Sequence, residues 1–349
     1  MVGVMNILTL ETTCDETAAA VITDRLDVLS SVVASQDALH ERFGGVVPEI
    51  ASRAHVERIL PVIDEALRKA GITLADLGAV AVANTPGLAG SLLVGLTAAK
   101  ALCVALDVPL VAVNHLHAHV YACRLVDGPG VFPCVALIVS GGHTSLYRCA
   151  GPLEFELLGG TIDDAAGEAF DKVAAMLRLP YPGGPSIEKA AAGGDPKAHR
   201  FPRPLLSDRQ RLEFSFSGLK TAVRYAISAP GGPEPSDVEL SAAQVADLAA
   251  SFQQAVVDCL AGKALAALRA SGLDVLCVAG GVAANGHLRR RLQEEAKENH
   301  FALHVPPIEL CTDNAVMGAI AIERIKAGLT ESLDLDIAGG LLRAPQRRR

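Results

Sequence analysis

Two stretches of this chain follow one plan, and that duplication limits what it can fold into. Residues 6–22 run as an apolar segment, a short polar turn (Thr12, Thr13, Cys14, Asp15) and a second apolar segment. Residues 134–147 repeat the plan around Ser140-Gly141-Gly142-His143. Each pattern predicts a β-hairpin whose tight turn presents backbone N–H and hydroxyl groups. A third device, residues 275–285, reads as a strand, the glycine pair Gly280-Gly281, and a helix capped near Asn285. Glycine there lets a ligand come close to the backbone.

The chain is long enough for two domains: 349 residues, half of them hydrophobic and 20% charged. Aromatics make up only 4%, with no Trp, so small and branched aliphatics must fill the core, which favours α/β layers. Helices are expected over residues 91–106, from a capping box at Ser241 and Gln244 towards Ala270 with a break at Gly262, and from Thr312 or Asp313 through Ile325. Residues 228–236 read as a loop. The lobes are expected to divide between Val113 and Gly130, giving 1–115, 116–325 and a C-terminal extension 326–349 with a basic tail. The apolar neighbourhood 79–99 is interrupted by Asn84, Pro86 and glycines, a poor membrane span. The first residues lack a basic signal-peptide region, and eight scattered cysteines without a CxxC pair fit a reducing cytoplasm.

Residues 108–113 read as a buried strand, and Asn114 as the N-cap of a helix that opens with histidines. Residues four apart share a helical face, so His115 and His119 point together and His117 turns away. Two imidazoles on one face are half of a site for Fe, Zn, Mn or Ni; the alternative is a helix start with solvated histidines. Three of ten histidines within five residues weigh towards the metal. A net charge of −8 argues mildly against nucleic acid, but residues 197–224 carry seven basic residues against two acids, a local net of +5. That segment is a candidate phosphate-tracking surface for a nucleic acid, with Arg200, Arg203 and Arg211 the candidate contacts; a solvated face is the alternative.

Two duplicated lobes, each with a hairpin turn of this type and with a cleft between them, are the plan of the actin, Hsp70 and sugar-kinase superfamily. Within it, the chain resembles the TsaD family of tRNA N6-adenosine threonylcarbamoyltransferases, once called glycoprotease-like. The motifs, in the family's order, begin with Glu11-Thr12-Thr13-Cys14-Asp15-Glu16-Thr17 and Gly44-Gly45-Val46-Val47-Pro48-Glu49-Ile50-Ala51-Ser52-Arg53-Ala54-His55. They continue with the NHLxxH stretch, Val139-Ser140-Gly141-Gly142-His143-Thr144 and Asp163-Asp164-Ala165-Ala166-Gly167-Glu168-Ala169-Phe170-Asp171-Lys172. Tyr181-Pro182-Gly183-Gly184-Pro185, Phe214-Ser215-Phe216-Ser217-Gly218-Leu219-Lys220, Gly280 to Asn285 and Cys311-Thr312-Asp313-Asn314-Ala315 complete the set.

The resemblance implies a divalent metal, Fe(2+) with Zn as the alternative, held by His115, His119 and Asp313; Asp313 is otherwise an N-cap. It implies nucleotide contacts at Ile138, Val139, Ser140, Gly141, Gly142, Asp171, Gly184, Glu188 and Asn285. Their chemistry is suitable: loop N–H groups for phosphate, a carboxylate for ribose hydroxyls, an amide for an adenine edge. The implied reaction moves a threonylcarbamoyl group from threonylcarbamoyl-AMP to N6 of the adenosine next to the tRNA anticodon (position 37), releasing AMP. No general base is evident; Asp15 and Glu16, on the first turn, are the candidates. Implied partners are tRNA, a smaller TsaB-type paralogue and a TsaE-type ATPase, since the chain has no P-loop of its own. A small-molecule carbamoyltransferase and a non-catalytic scaffold paralogue are the rivals; a zinc protease would need HExxH, and Leu116 follows His115. Departures are slight: Glu188 stands where the family more often has Asp, His117 occupies a variable position and adds a competing ligand, and Thr85 and Gly318 are atypical.

Overall fold

The computed structural model describes residues 4–208 and 210–340 and divides into two compact units. The first takes the chain up to Gly128 and again from Thr312; the second is Pro129–Cys311. The division therefore lies at 128/129 and not at 115/116. The helix opened by the histidines continues unbroken to Asp127, and the segment after Cys311 packs back on the first unit.

Unit 1 starts with β1 (Asn6–Glu11), β2 (Glu16–Thr23) and β3 (Val28–Ser35), then the short α1 (Asp37–His40), a 3-10 turn at Glu41–Phe43, and α2 (Pro48–Ala70). It continues with β4 (Leu77–Thr85), α3 (Ala89–Leu106), β5 (Leu110–Asn114) and α4 (His115–Asp127). Unit 2 comprises β6 (Cys134–Val139), β7 (Thr144–Gly151), β8 (Glu154–Gly160), α5 (Ala166–Met176), α6 (Gly183–Ala191) and α7 (Ser217–Ile227). Then come α8 (Ala242–Ser271), β9 (Val275–Ala279), a 3-10 turn at Gly281–Ala284, α9 (Gly286–Asn299) and β10 (Ala302–His304). A 3-10 segment at Val316–Ile320 and α10 (Ala321–Lys326) return to unit 1.

The two sheets have one topology. Their orders are β3-β2-β1-β4-β5 and β8-β7-β6-β9-β10. In each, the three strands of the hairpins are antiparallel and the remaining two join in parallel. In β1, Leu8 and Leu10 face a core built with α2 and α3. Alternation turns Thr9 and Glu11 to the opposite face. There Val316–Ile320 covers them: the Thr9 hydroxyl donates to Ala315 O at 2.6 Å, and a Cβ on Gly318 would sit 3.0 Å from Thr9 Cβ. The atypical glycine thus makes room for the strand.

Helix α3 is long and apolar enough to cross a membrane, but it is the crossover between adjacent parallel strands β4 and β5, with Leu92, Leu96 and Ala99 buried on the sheet side. Ser241 caps α8 with Gln244 as expected, but the helix runs through Gly262 without a break. Gly262 is used for packing, since a Cβ there would lie 2.4 Å from Leu206 Cδ1.

Candidate metal centre and a helix-terminus site

In unit 1 the parallel strands β1, β4 and β5 all end on one side of the sheet, the side where α/β folds collect their functional groups. β5 ends at Asn114, whose Oδ1 accepts from the backbone N–H groups of Leu116 and His117 at 3.0 and 3.2 Å and so starts α4. The helical period then stacks His115 and His119, whose rings meet edge to face with centroids 4.6 Å apart. Asp313 approaches both: its Oδ1 lies 3.1 Å from His119 Nε2 and 3.6 Å from His115 Nε2. The expected helix start at Thr312 or Asp313 is corrected here. Asn314 accepts from Met317 N–H, the 3-10 segment begins at Val316, and the Asp313 carboxylate is left to the histidines.

Glu11, at the end of β1, completes the arrangement. Its Oε2 lies 3.0 Å from His115 Nδ1, and its Oε1 accepts from Thr13 N–H at 2.7 Å. With a Glu11 oxygen beside Nδ1, the neutral form of His115 carries its hydrogen there and leaves Nε2, the nitrogen towards Asp313, as the ligand atom. Metal-binding histidines are ordinarily oriented by a carboxylate in this way. His119 Nδ1 is buried with no hydrogen-bond partner among the described residues. Burial disfavours a charged His115 ring, but Asp313 and Glu11 outweigh it and raise the pKa to about 9. Two carboxylates around two buried imidazoles attract a cation. Two histidines and one carboxylate fit a divalent metal, with coordination positions left for oxygen ligands. Sequence reasoning quoted Glu11 within a motif and missed its role. The signal is an acid ending an otherwise apolar strand.

The turn after β1 carries Asp15 and Glu16, which with Asp37 bring carboxylate oxygens within 4.8 Å of one another. Burial raises the Asp15 carboxyl above its ordinary range, with Asp313 adding to it. Burial raises Glu16 much further, assisted by the charge of Asp15. Their mutual hydrogen bond favours the charge on Asp15 and the proton on Glu16.

In unit 2 the parallel strands β6 and β9 end side by side, with Ile138 opposite Ala279. Ile138 and Val139 are fully buried strand residues and offer only backbone. Beyond them, Ser140 Oγ accepts from His143 N–H at 3.2 Å, closing the turn, while Gly141 and Gly142 stand exposed with open space where side chains would be. The carbonyls of Ser140 and Gly141 accept from Gly167 and Glu168 in the first turn of α5. That contact demands glycine at 167, since a Cβ would sit 2.6 Å from Ser140 O.

Asp171 accepts from Gly183 N–H at 2.7 Å, at the start of α6. Gly184 beside it has open space around it. Glu188 Oε1 accepts from Gly286 N–H at 2.8 Å. Asn285 caps α9 by accepting from Leu288 N–H at 2.9 Å and donates to Gln253 at 2.8 Å, so both ends of its amide are engaged. The structure thus links the N-termini of α5, α6 and α9 through Ser140, Asp171, Glu188 and Asn285. Helix N-termini carry the positive dipole end that suits phosphate.

The basic segment is not a continuous free surface. Arg203 pairs with Asp258 at 2.8 Å, Arg211 with Glu213 at 3.1 Å, Lys220 with Asp164 at 2.8 Å and Arg224 with Glu234 at 3.0 Å. Arg200 is exposed and has no ion-pair partner among the described residues. Arg209 and the arginines of residues 341–349 lie outside the described residues.

A family model described as tRNA N6-adenosine threonylcarbamoyltransferase matches residues 27–320. A protein of that name from Rhodopirellula baltica is 55% identical over 97% of each chain, and one from Symbiobacterium thermophilum is 52% identical over 96% of each. Among solved structures, HypF from T. kodakarensis aligns over 93% of this chain and 48% of its own with a TM-score of 0.61 at 15% identity. Component A of the (R)-2-hydroxyglutaryl-CoA dehydratase of Acidaminococcus fermentans aligns over 92% of this chain and 99% of its own with a TM-score of 0.54 at 12% identity. At such identities these structures speak to the fold alone, an α/β pair of duplicated lobes of the actin, Hsp70 and sugar-kinase type.

Proposed function

Because this chain belongs to the tRNA N6-adenosine threonylcarbamoyltransferase family, we propose that it transfers threonylcarbamoyl from threonylcarbamoyl-AMP to N6 of the adenosine beside the tRNA anticodon, releasing AMP. The observation that carries this reading is the buried His115–His119–Asp313 group, with Glu11 orienting His115. A scaffold paralogue would have no use for it. His115, His119 and Asp313 hold one divalent metal. Two histidines and a carboxylate with open positions suit Fe(2+), with Zn the alternative. When bound, the metal supplies a Lewis acid that polarises and orients substrate oxygens.

The chain's own residues do the remainder. The exposed Ser140–Gly142 turn, braced from behind by the first turn of α5, holds the adenylate phosphate, with Ile138 and Val139 contributing backbone. Asp171, Gly184, Glu188 and Asn285 shape the nucleoside pocket. Asp15 acts as general base, taking the proton that the N6 amine loses as its bond to the carbamoyl carbon forms and the AMP oxygen leaves. Glu16 holds its own proton and keeps Asp15 ionised. A carboxylate whose pKa is raised is a stronger base than an ordinary one, which favours proton transfer to it.

Of the basic segment, Arg200 is kept as a phosphate contact, while Arg203 and Arg211 brace the loop that carries it. The exposed Val56, Leu60, Leu93 and Val104 on α2 and α3 give a TsaB-type paralogue an apolar surface, and a TsaE-type ATPase supplies the nucleotide hydrolysis. The reaction is placed in the cytoplasm, where tRNA is modified and the chain's buried thiols stay reduced. The test is transfer of labelled threonylcarbamoyl to tRNA by the metal-loaded protein with its partners, alongside metal analysis. Asp313→Ala is expected to lose both bound metal and transfer. Full transfer by a metal-free variant would refute the assignment.

A further inference from the structure

Aromatic rings are scarce in this chain, nine Phe and four Tyr, and all but Phe43 and Tyr225 are largely covered. Phe43 is one of the exceptions, half exposed at 50%. The guanidinium of Arg42 lies over its ring, 4.6 Å from the centroid, a cation–π contact on one face of a residue that keeps half of its surface exposed. Gly44 follows in the left-handed region at φ 66, and neither it nor Gly45 has any atom within 4 Å of where a side chain would start. An exposed ring, backed by arginine and bordered by open backbone, is the form taken by stacking platforms for unpaired bases.

The segment that leads into Phe43 is tied to the turn of the proposed base. His40, fully buried, accepts from Val47 N–H through Nδ1 at 3.3 Å and pairs through Nε2 with Gln36 Oε1 at 3.2 Å. Gln36 N–H donates to Asp15 O at 3.0 Å, and the Gln36 amide reaches Ala51 O. Asp37, six residues before Phe43, has its carboxylate within 4.8 Å of Asp15 and Glu16. Six residues of helix rise about 9–12 Å, which bounds how far along the helix axis Phe43 stands from Asp37. Asp37, Glu41 and Glu49 in the same stretch disfavour phosphate, so a base face is the compatible partner.

We propose that Arg42 and Phe43 stack an unpaired base of the tRNA anticodon loop neighbouring the modified adenosine. The inference rests on the tRNA-modifying reading and names how that substrate is held. An anticodon stem-loop carrying 2-aminopurine beside the target adenosine tests it with the assembled, metal-loaded enzyme. Phe43→Ala is expected to weaken stem-loop affinity by about five- to a hundredfold and to abolish the fluorescence quench, while metal content and thermal melting stay at the parent's values. Phe43→Trp is expected to restore both. Parent-like RNA affinity and quench in Phe43→Ala overturns the platform and leaves the transferase reading standing. Loss of partner-subunit binding with RNA affinity unchanged also overturns it, assigning Phe43 to a protein contact. A parent enzyme that neither binds nor modifies tRNA removes the reading and the platform together.

Discussion

Each unit carries a pair of adjacent acids just beyond a hairpin strand, Asp15–Glu16 after β1 and Asp163–Asp164 after β8, and their surroundings push them in opposite directions. In unit 1, burial raises both carboxyls, and nearby Asp313 and Asp37 add further negative charge. In unit 2, burial also opposes ionisation, but Asp163 accepts from the hydroxyls of Ser215 and Ser217 and from the N–H groups of Phe216 and Ser217. Asp164 is likewise outweighed by Lys220 and Lys172, both within 3 Å. Both unit 2 pKa values end up lowered. The same sheet plan therefore supports two uses of charge. Unit 2 spends its acids on joining the β8–α5 turn to α7, whereas unit 1 buries its acids with no cation to offset them among the groups that shift them, the kind of setting in which functional carboxylates are found.

The largest expected effect falls on unit 1. His119→Ala is expected to strip the metal and lower transfer by more than about a hundredfold, beyond the loss typical of an outer-shell partner. His117→Ala is expected to keep both, because its ring turns away from the other two. Equal metal loss in the two variants would break the assignment. A bound metal needs a neutral ring, and His115 titrates at about 9, so metal affinity is expected to fall as pH drops below that value rather than only below the ordinary histidine range.

Next come the acid pairs themselves. A raised carboxyl contributes stability that is full below its unfolded pKa and is lost as pH rises through the folded pKa. Glu16→Gln is therefore expected to hold or raise the melting temperature at pH 7 while reducing transfer about tenfold or more. Asp15→Asn is expected to remove the acidic limb of the pH–rate profile, a limb lying above the ordinary Asp range near 3.8. A profile with the same limb in Asp15→Asn would exclude it as the base. The lowered pair in unit 2 has the opposite sign: its stabilisation is present above the unfolded pKa and lost as pH falls through the folded one. Asp163→Ala is expected to cost about 3 kcal/mol in denaturant unfolding at pH 7, by stranding two backbone donors. That cost should shrink towards pH 3. A pH-independent cost would mean that the contacts, and not the charge, stabilise the turn.

Local signals carried much of this architecture. Asn114 with histidines at i, i+4 spacing marked the face where His115 and His119 meet, because cap and period act within about one helical turn. The hairpins were legible because alternation and turn chemistry act over a few residues. What was hidden depends on long-range pairing. Glu11 meets His115 across 104 residues, so no window of sequence joins them. Asp313 looked like a helix cap because its neighbour Asn314, with the same propensity, takes that role. Summed charge made residues 197–224 look like a free basic stripe, whereas Asp258 and Asp164 neutralise Arg203 and Lys220 from elsewhere in unit 2. The unit boundary was misplaced because α4 carries the candidate ligands near its start and eight further residues of the same unit beyond His119.

The smallest effect decides whether the ordered chemistry of unit 2 also binds ligand. Asn285 caps α9 and holds Gln253, so its amide has a structural task whether or not adenine contacts it. Replacing a cap by Ala costs about 1 kcal/mol, whereas Ser is itself a good cap. Asn285→Ala is thus expected to be about 1 kcal/mol less stable than Asn285→Ser by urea unfolding. The AMP affinities of the same pair separate the two tasks. If the amide reads the base, Ala and Ser weaken AMP binding alike, since neither supplies a carboxamide. If only the helix start matters, affinity follows the cap, falling in Asn285→Ala and surviving in Asn285→Ser. That second outcome would make unit 2 a purely structural setting for its glycine turn, with the nucleotide held by backbone and helix dipoles at Ser140–Gly142 and not by the Asn285 side chain.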